Sequence, residues 1–218
     1  MAAGGGERWA TFDCYGTLID WNAGIGRTLE QLFGPDRAGQ LLYRYHEVEP
    51  QIQREDPGRS YREVMALALA RLGAPAGDED ALALSLPKWE PFPEVPAALE
   101  EAQDRGWRLA VLSNTDRDLL DASLARIGVP FELSIVASEI GSYKPAPTHW
   151  EEFFARTGAD REHDVHVGAS LFHDIAPATV LGLHTIWINR LGEEPEPQPD
   201  VELRNLGGLA DVLDSLVA

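Results

Sequence analysis

The stretch Phe12-Asp13-Cys14-Tyr15-Gly16-Thr17-Leu18 puts a carboxylate where a short β-rich run, Arg8–Asp13, meets a glycine-containing turn. An aspartate so placed is exposed and rigidly aimed, and the N–H groups of the turn can hold an anion beside it. Three later stretches share this placement. Ser113-Asn114-Thr115 follows the run Arg108–Leu112, Lys144-Pro145 follows Leu133–Ala137, and Gly168-Ala169-Ser170 with Asp174 follows Asp164–Val167. If these runs are strands of a parallel sheet, then all four stretches lie past carboxyl ends. They converge on one crevice, where open α/β sheets bind ligands.

The elements needed to position them are legible. A further β-rich run, His184–Ile188, joins the others. Helical stretches alternate with the strands: Val95–Arg105 and Asp118–Ile127 stop near Gly106 and Gly128, and Trp150–Thr157 and Ile175–Leu181 add two more. This alternation predicts an α/β fold with a Rossmann-like parallel sheet core and helices on both faces. The segment from Trp21 to Pro91 breaks the rhythm by reading as helical throughout. Its clearest helix is Arg59–Gly73, where Ser60 and Glu63 have capping-box spacing and Gly73 can close the end. An all-helical insert after the first strand sits over the crevice, so the expected organisation is a core of residues 1–20 and 92–218 with a helical cap domain at 21–91. The run Glu193–Pro199 reads as a proline-rich surface loop.

Composition narrows the partners. The formal net charge of −18 argues against nucleic acid and against an anionic membrane, both of which would be repelled. The acidity is spread along the chain, as on a solubilising surface. A single cysteine, Cys14, leaves no intrachain disulfide framework and too few thiols for a structural zinc site. Met1–Gly6 has neither a basic start nor an apolar run, and no apolar stretch approaches a membrane span, so the expected compartment is the cytoplasm.

With its four motifs in this order, spanning nearly the whole chain, and a helical segment after the first, the sequence resembles the haloacid dehalogenase-like superfamily. Within that superfamily the phosphatases carry a second aspartate two residues after the nucleophile and an acidic magnesium ligand after the glycine of the fourth motif. Here those positions are Tyr15 and Ala169. Magnesium wants several hard oxygen ligands, so both departures point away from phosphoryl transfer. The Asp-x-Tyr-Gly-Thr form resembles the L-2-haloacid dehalogenase branch instead, as does Leu42-Tyr43-Arg44, which lies at that branch's distance from the nucleophile to its halide-binding arginine. Trp187-Ile188-Asn189-Arg190 is also similar to that branch and reads as structural. The apolar Leu171 and the imidazole of His173 depart from it, so the substrate pocket differs even where the nucleophile's chemistry is kept.

The resemblance implies that Asp13 attacks the halogen-bearing carbon of a small carboxylic acid to form an aspartyl ester. Asp174 then activates the water that hydrolyses this ester to a 2-hydroxy acid. Lys144 keeps Asp13 ionised and oriented. Ser113 and the N–H groups around Cys14 and Tyr15 bind the substrate carboxylate, while Tyr15 walls the pocket. Arg44 and Asn114 stabilise the departing halide. Thr17 supports the first turn. The expected site holds no metal and no cofactor, and the resembling branch implies a homodimer. Two alternatives remain at this point: a magnesium-dependent phosphatase with a degenerate metal site, and a non-catalytic binding protein of the same fold.

Overall fold

The computed structural model describes residues 7–217. Met1–Gly6, whose composition carried the reading on export, lie outside the described residues.

The five expected strands form β1 (Trp9–Phe12), β2 (Arg108–Ser113), β3 (Leu133–Val136), β4 (Asp164–Gly168) and β5 (His184–Ile188). A sixth, β6 (Val201–Leu203), extends one edge. It follows the proline-rich loop and is only three residues long, too short to carry an alternation in the sequence. The strand order is β3-β2-β1-β4-β5-β6 and every neighbouring pair is parallel. The order reverses between β1 and β4, and a crevice opens at the carboxyl ends of such a switch point. Asp13 leaves β1 there, and Asp174 follows β4.

The sheet is covered on both faces, as a parallel sheet must be. Side chains alternate along each strand. Ala10, Phe12, Leu109, Val111, Val165 and Val167 pack in the larger core with residues of α5 (Val95–Asp104), α6 (Arg117–Ile127) and α10 (Leu209–Leu216). On the other face Trp9, Ala110, Leu112 and Ile135 meet Trp150 and Phe153 of α8 (Thr148–Thr157) and Ala178 of α9 (Ala176–Val180). A one-turn helix, α7 (Ala137–Ile140), follows β3.

Between β1 and α5 the chain forms α1 (Trp21–Phe33), α2 (Pro35–Glu55), α3 (Tyr61–Leu72) and the short α4 (Ala81–Ser85). The capping box at Ser60 and Glu63 is present, and Gly73 ends α3 in the left-handed conformation. The first N–H groups of α3, Tyr61 and Arg62, donate across to the Asp116 carboxylate beyond β2, at 2.8 and 3.0 Å. That carboxylate complements the positive end of the helix dipole and ties the insert to the sheet. The Tyr143 hydroxyl makes a second tie by donating to the Arg59 carbonyl at 2.8 Å.

The chain enters and leaves the insert side by side. Ile19 bridges Pro91, Asp20 N–H donates to Glu90 O at 2.9 Å, and Phe92 N–H donates to Leu18 O at 3.0 Å. Arg190, just past β5, clamps this crossing: it lies 3.4 Å above the centroid of the Phe92 ring, pairs with Glu94, and donates to the carbonyls of Gly16 and Thr17.

Candidate active site

Asp13 continues β1 by donating its N–H to Val167 O at 3.0 Å, which fixes its backbone against β4. Gly16 follows at φ +90°, a left-handed turn that suits glycine, and brings the chain back so that the Thr17 hydroxyl reaches Asp13 Oδ2 at 3.1 Å. Thr17 in turn accepts from Ala169 N–H at 2.9 Å, coupling the first motif to the fourth.

Lys144 is 1% exposed and spends its three donors at once. Nζ donates to Asp174 Oδ1 at 2.6 Å, to Leu112 O at 2.7 Å and to Asp13 Oδ1 at 2.9 Å. Its main chain is gripped by Asn114, whose Oδ1 accepts from Lys144 N–H at 2.7 Å and whose Nδ2 donates to Lys144 O at 3.0 Å. The Asn114 amide thus holds the lysine loop with its oxygen and one of its two N–H donors.

Asp174 sits on a π-helical turn, Leu171–Ile175, in which Ile175 N–H reaches back to Ser170 O at 3.1 Å. Such turns are rare and recur at functional sites. The Asp174 side chain lies directly over the end of β4: a Cβ on Gly168 would come within 2.5 Å of Asp174 Cβ, so glycine is required there.

The electrostatics follow from burial and pairing. Burial pushes the Asp13 carboxyl up to about 6, with Lys144 opposing and Asp174 reinforcing the shift. For Asp174 burial acts the same way, but Lys144 and His166 outweigh it and hold the carboxyl well below the usual range. Burial disfavours the Lys144 ammonium, and Asp13 and Asp174 more than reverse that, leaving it above its ordinary value. The site therefore keeps one ammonium between two carboxylates.

His166 is a member of this site that the sequence reading missed. It is fully buried on β4, beside its register partner Thr11. The Trp150 indole, which can only donate, points Nε1–H at His166 Nδ1 at 3.3 Å, and the Thr11 hydroxyl lies 3.0 Å from the same nitrogen. Nδ1 is therefore the acceptor, and the ring proton sits on Nε2, 3.5 Å from Asp174 Oδ1. Burial lowers the imidazole pKa, so the ring stays neutral.

The remaining expected residues divide. Ser113 lies at the end of β2 with its hydroxyl buried and, among the described residues, without a hydrogen-bond partner. Neither Cys14 nor Tyr15 donates its N–H to a main-chain acceptor among the described residues, and the Cys14 N–H is turned to the Asp13 carboxylate, whose ionised form it favours. The Cys14 thiol is buried and its pKa is pushed up by that burial, so it packs rather than reacts. Tyr15 bonds Ser123 Oγ at 3.1 Å and stacks on Tyr61 of the insert with ring centroids 6.3 Å apart. His173 bonds Ser170 through Nδ1 at 3.1 Å, and burial lowers it to about 4.

The structure does not bring Arg44 to this group. It is exposed, and it makes no hydrogen bond or ion pair among the described residues. The inward face of α2 carries Leu41, Tyr45, Glu49, Ile52 and Gln53. One residue along a helix turns the side chain by about 100°, so Arg44 lies to one side of the inward Tyr45. Where an arginine was expected, the insert presents Tyr45, Glu49 and Gln53. Burial pushes the Glu49 carboxyl up to about 7, with Asp13 adding to the shift.

A cleft of about 380 Å³ reaches Lys144 between the end of α2 and the loops after β3 and β4, lined by Gln53, Arg54, Tyr143, Lys144, Phe172 and His173 among others. Among the described residues no cluster of three or more His, Cys, Asp or Glu side chains is arranged to hold a metal ion.

Residues 8–182 match the family of haloacid dehalogenase-like hydrolases. The chain is 29% identical to the (S)-2-haloacid dehalogenase of Pseudomonas sp. (strain YL), covering 94% of this chain and 93% of that one. It is 30% identical to haloacetate dehalogenase H-2 of Moraxella sp. (strain B), over 83% and 85% of the two chains. The crystal structure of an L-2-haloacid dehalogenase superposes with a TM-score of 0.85, at 24% identity and with 96% of this chain and 100% of the other covered, and so shares the fold.

Proposed function

The chain belongs to the haloacid dehalogenase-like hydrolases, and from that premise we propose that it hydrolyses a small 2-haloalkanoic acid to the 2-hydroxy acid. The observation that carries this reading is the shared ammonium of Lys144, which leaves Asp13 ionised at neutral pH with Oδ2 accepting from the Thr17 hydroxyl.

Asp13 Oδ2 attacks C2 of the substrate, a C–O bond forms, and the halide leaves with the electron pair of the C–X bond. In the resulting ester Oδ1 is the carbonyl oxygen. Asp174 takes a proton from water as the water oxygen adds to Asp13 Cγ, and the negative charge that develops on Oδ1 meets the Lys144 ammonium already 2.9 Å away. The Cγ–O bond to the substrate then breaks, the departing oxygen takes the proton from Asp174, and Asp13 is restored with one oxygen from water. Water and the haloacid thus give hydroxy acid, halide and one proton. Ser113 and the N–H groups of Cys14 and Tyr15 receive the substrate carboxylate. His166 positions Asp174, and Asn114 positions Lys144.

The magnesium-dependent phosphatase fits these residues poorly. Ala169 offers no oxygen where an acidic ligand is needed, and the Tyr15 hydroxyl is turned to Ser123 rather than to the nucleophile.

Residues 21–91 serve in this reading as a cap over a core of residues 1–20 and 92–218. The chain acts in the cytoplasm, supported by the absence among the described residues of any helix long and apolar enough to cross a membrane. It pairs as a homodimer, as the branch it resembles suggests; sedimentation velocity tests this.

The test of function is halide release from both enantiomers of 2-chloropropanoate and from chloroacetate, with and without EDTA, beside a panel of phosphate esters with and without magnesium. Chelator-insensitive halide release is expected. Phosphate release that depends on magnesium, with no halide released, overturns the proposal.

A further inference from the structure

Glu49 is a buried carboxylate of the insert without a basic partner among the described residues; it is 5% exposed and accepts from Gln53 Nε2 at 2.6 Å. Gln53 lines the cleft that reaches Lys144. The titratable groups facing Glu49 are Tyr45 on its own helix, Tyr61 from α3, Tyr143 from the loop before Lys144, and Asp13 at the end of β1. None is a cation. Tyr61 stacks on Tyr15, two residues past Asp13, so the group adjoins the nucleophile's turn. The Tyr45 hydroxyl beside it is fully buried and faces Tyr61.

The charges at the Lys144 end of the cleft set an ionised Glu49 against a bound anion, with Arg54 on the cleft wall acting in the opposite sense. Asp13, Asp174 and Lys144 together carry one net negative charge, and all three Lys144 donors are already engaged. An ionised Glu49 adds a second negative charge before any substrate carboxylate enters, in a space where burial weakens solvent screening. A neutral carboxyl has the opposite effect, because it offers an O–H donor.

We propose that Glu49 is a proton-gated anion contact of this cleft: neutral, it donates its O–H to the carboxylate of a bound substrate or product, and ionised, it turns that anion away. The proposal rests on the reading of the substrate as a small carboxylate. It adds a neutral donor on α2 to the Ser113 hydroxyl and the Cys14 and Tyr15 N–H groups that receive the same carboxylate.

Calorimetric titration with 2-hydroxypropanoate at pH 8, in buffers of different ionisation enthalpy, tests it on the wild-type chain. Uptake of close to one proton per ligand bound is expected. The apparent Kd should weaken about tenfold per pH unit above 7, as the competent neutral form becomes the minor one. In Glu49→Gln the proton uptake should vanish, and the Kd should stay level from pH 7 to 8.5. Wild-type binding without proton uptake, or an unchanged pH dependence in Glu49→Gln, overturns the assignment. Halide release from 2-chloropropanoate by the same preparations separates the two readings. Release without proton uptake overturns the role of Glu49 alone, whereas neither release nor binding overturns both.

Discussion

Lys144 Nζ stands 2.6 Å from Asp174 Oδ1, nearer than the 2.9 Å that separates it from Asp13. The lysine therefore serves the water-activating carboxylate at least as directly as the nucleophile. Replacing it by methionine leaves two buried carboxylates facing each other without a counter-charge, a change that typically costs about 3–5 kcal/mol. Lys144→Met should lose that much stability at pH 7, measured by urea denaturation, and should release no halide. The loss should shrink at pH 5, where the freed carboxylates can take up protons. An equal loss at both pH values would mean that packing, not charge, dominates.

The nucleophile acts as the ionised form, and burial raises its pKa to about 6. Protonation therefore removes activity as the pH falls through 6, while Asp174, held low by Lys144 and His166, stays ionised across the same range. The rate of alkylation, followed in single turnovers, should fall about tenfold per pH unit below 6. A flat profile down to pH 4.5 would show that Asp13 titrates as an ordinary carboxylate.

His166→Leu removes the N–H that faces Asp174 and keeps the side chain apolar on its buried face. At 3.5 Å the contact is long, so a modest loss of about 1 kcal/mol, roughly fivefold in rate, is expected. It should fall on ester hydrolysis and spare alkylation. Acid-quenched samples should then contain more aspartyl ester by mass spectrometry. Equal slowing of both steps would make His166 a packing residue only.

Arg44→Ala should leave halide release within about twofold of wild type and stability within about 0.5 kcal/mol, as for an exposed residue without partners. A loss of a hundredfold or more in alkylation would show that Arg44 turns inward during turnover.

The crevice was legible because Asp13, Ser113, Lys144 and Asp174 each follow a strand, and strand ends on a parallel sheet have one destination. The capping box at Ser60 and Glu63 fixed the start of α3 in the same local way. The face of α2 was harder. The distance from Asp13 selects the helix but not which of two adjacent side chains, Arg44 or Tyr45, points in. The i, i+4, i+8 series of Tyr45, Glu49 and Gln53 was the available signal, obscured because two of its members are polar and suggest solvent. His166 gave no signal at all, since any strand residue between Val165 and Val167 would share its position, and its role depends on Trp150 sixteen residues earlier.

The crossing between sheet and insert has a mechanical consequence. Ile19 and Pro91, bridged to one another and clamped by Arg190, fix two neighbouring points of the chain along one short line. That line is a pivot. The swing of the insert that breaks the fewest bonds keeps the pivot and releases a latch elsewhere, formed by Asp116 with Tyr61 and Arg62 and by Tyr143 with Arg59. Loosening Asp116 would free the start of α3 from the sheet without touching Asp13, Lys144 or Asp174.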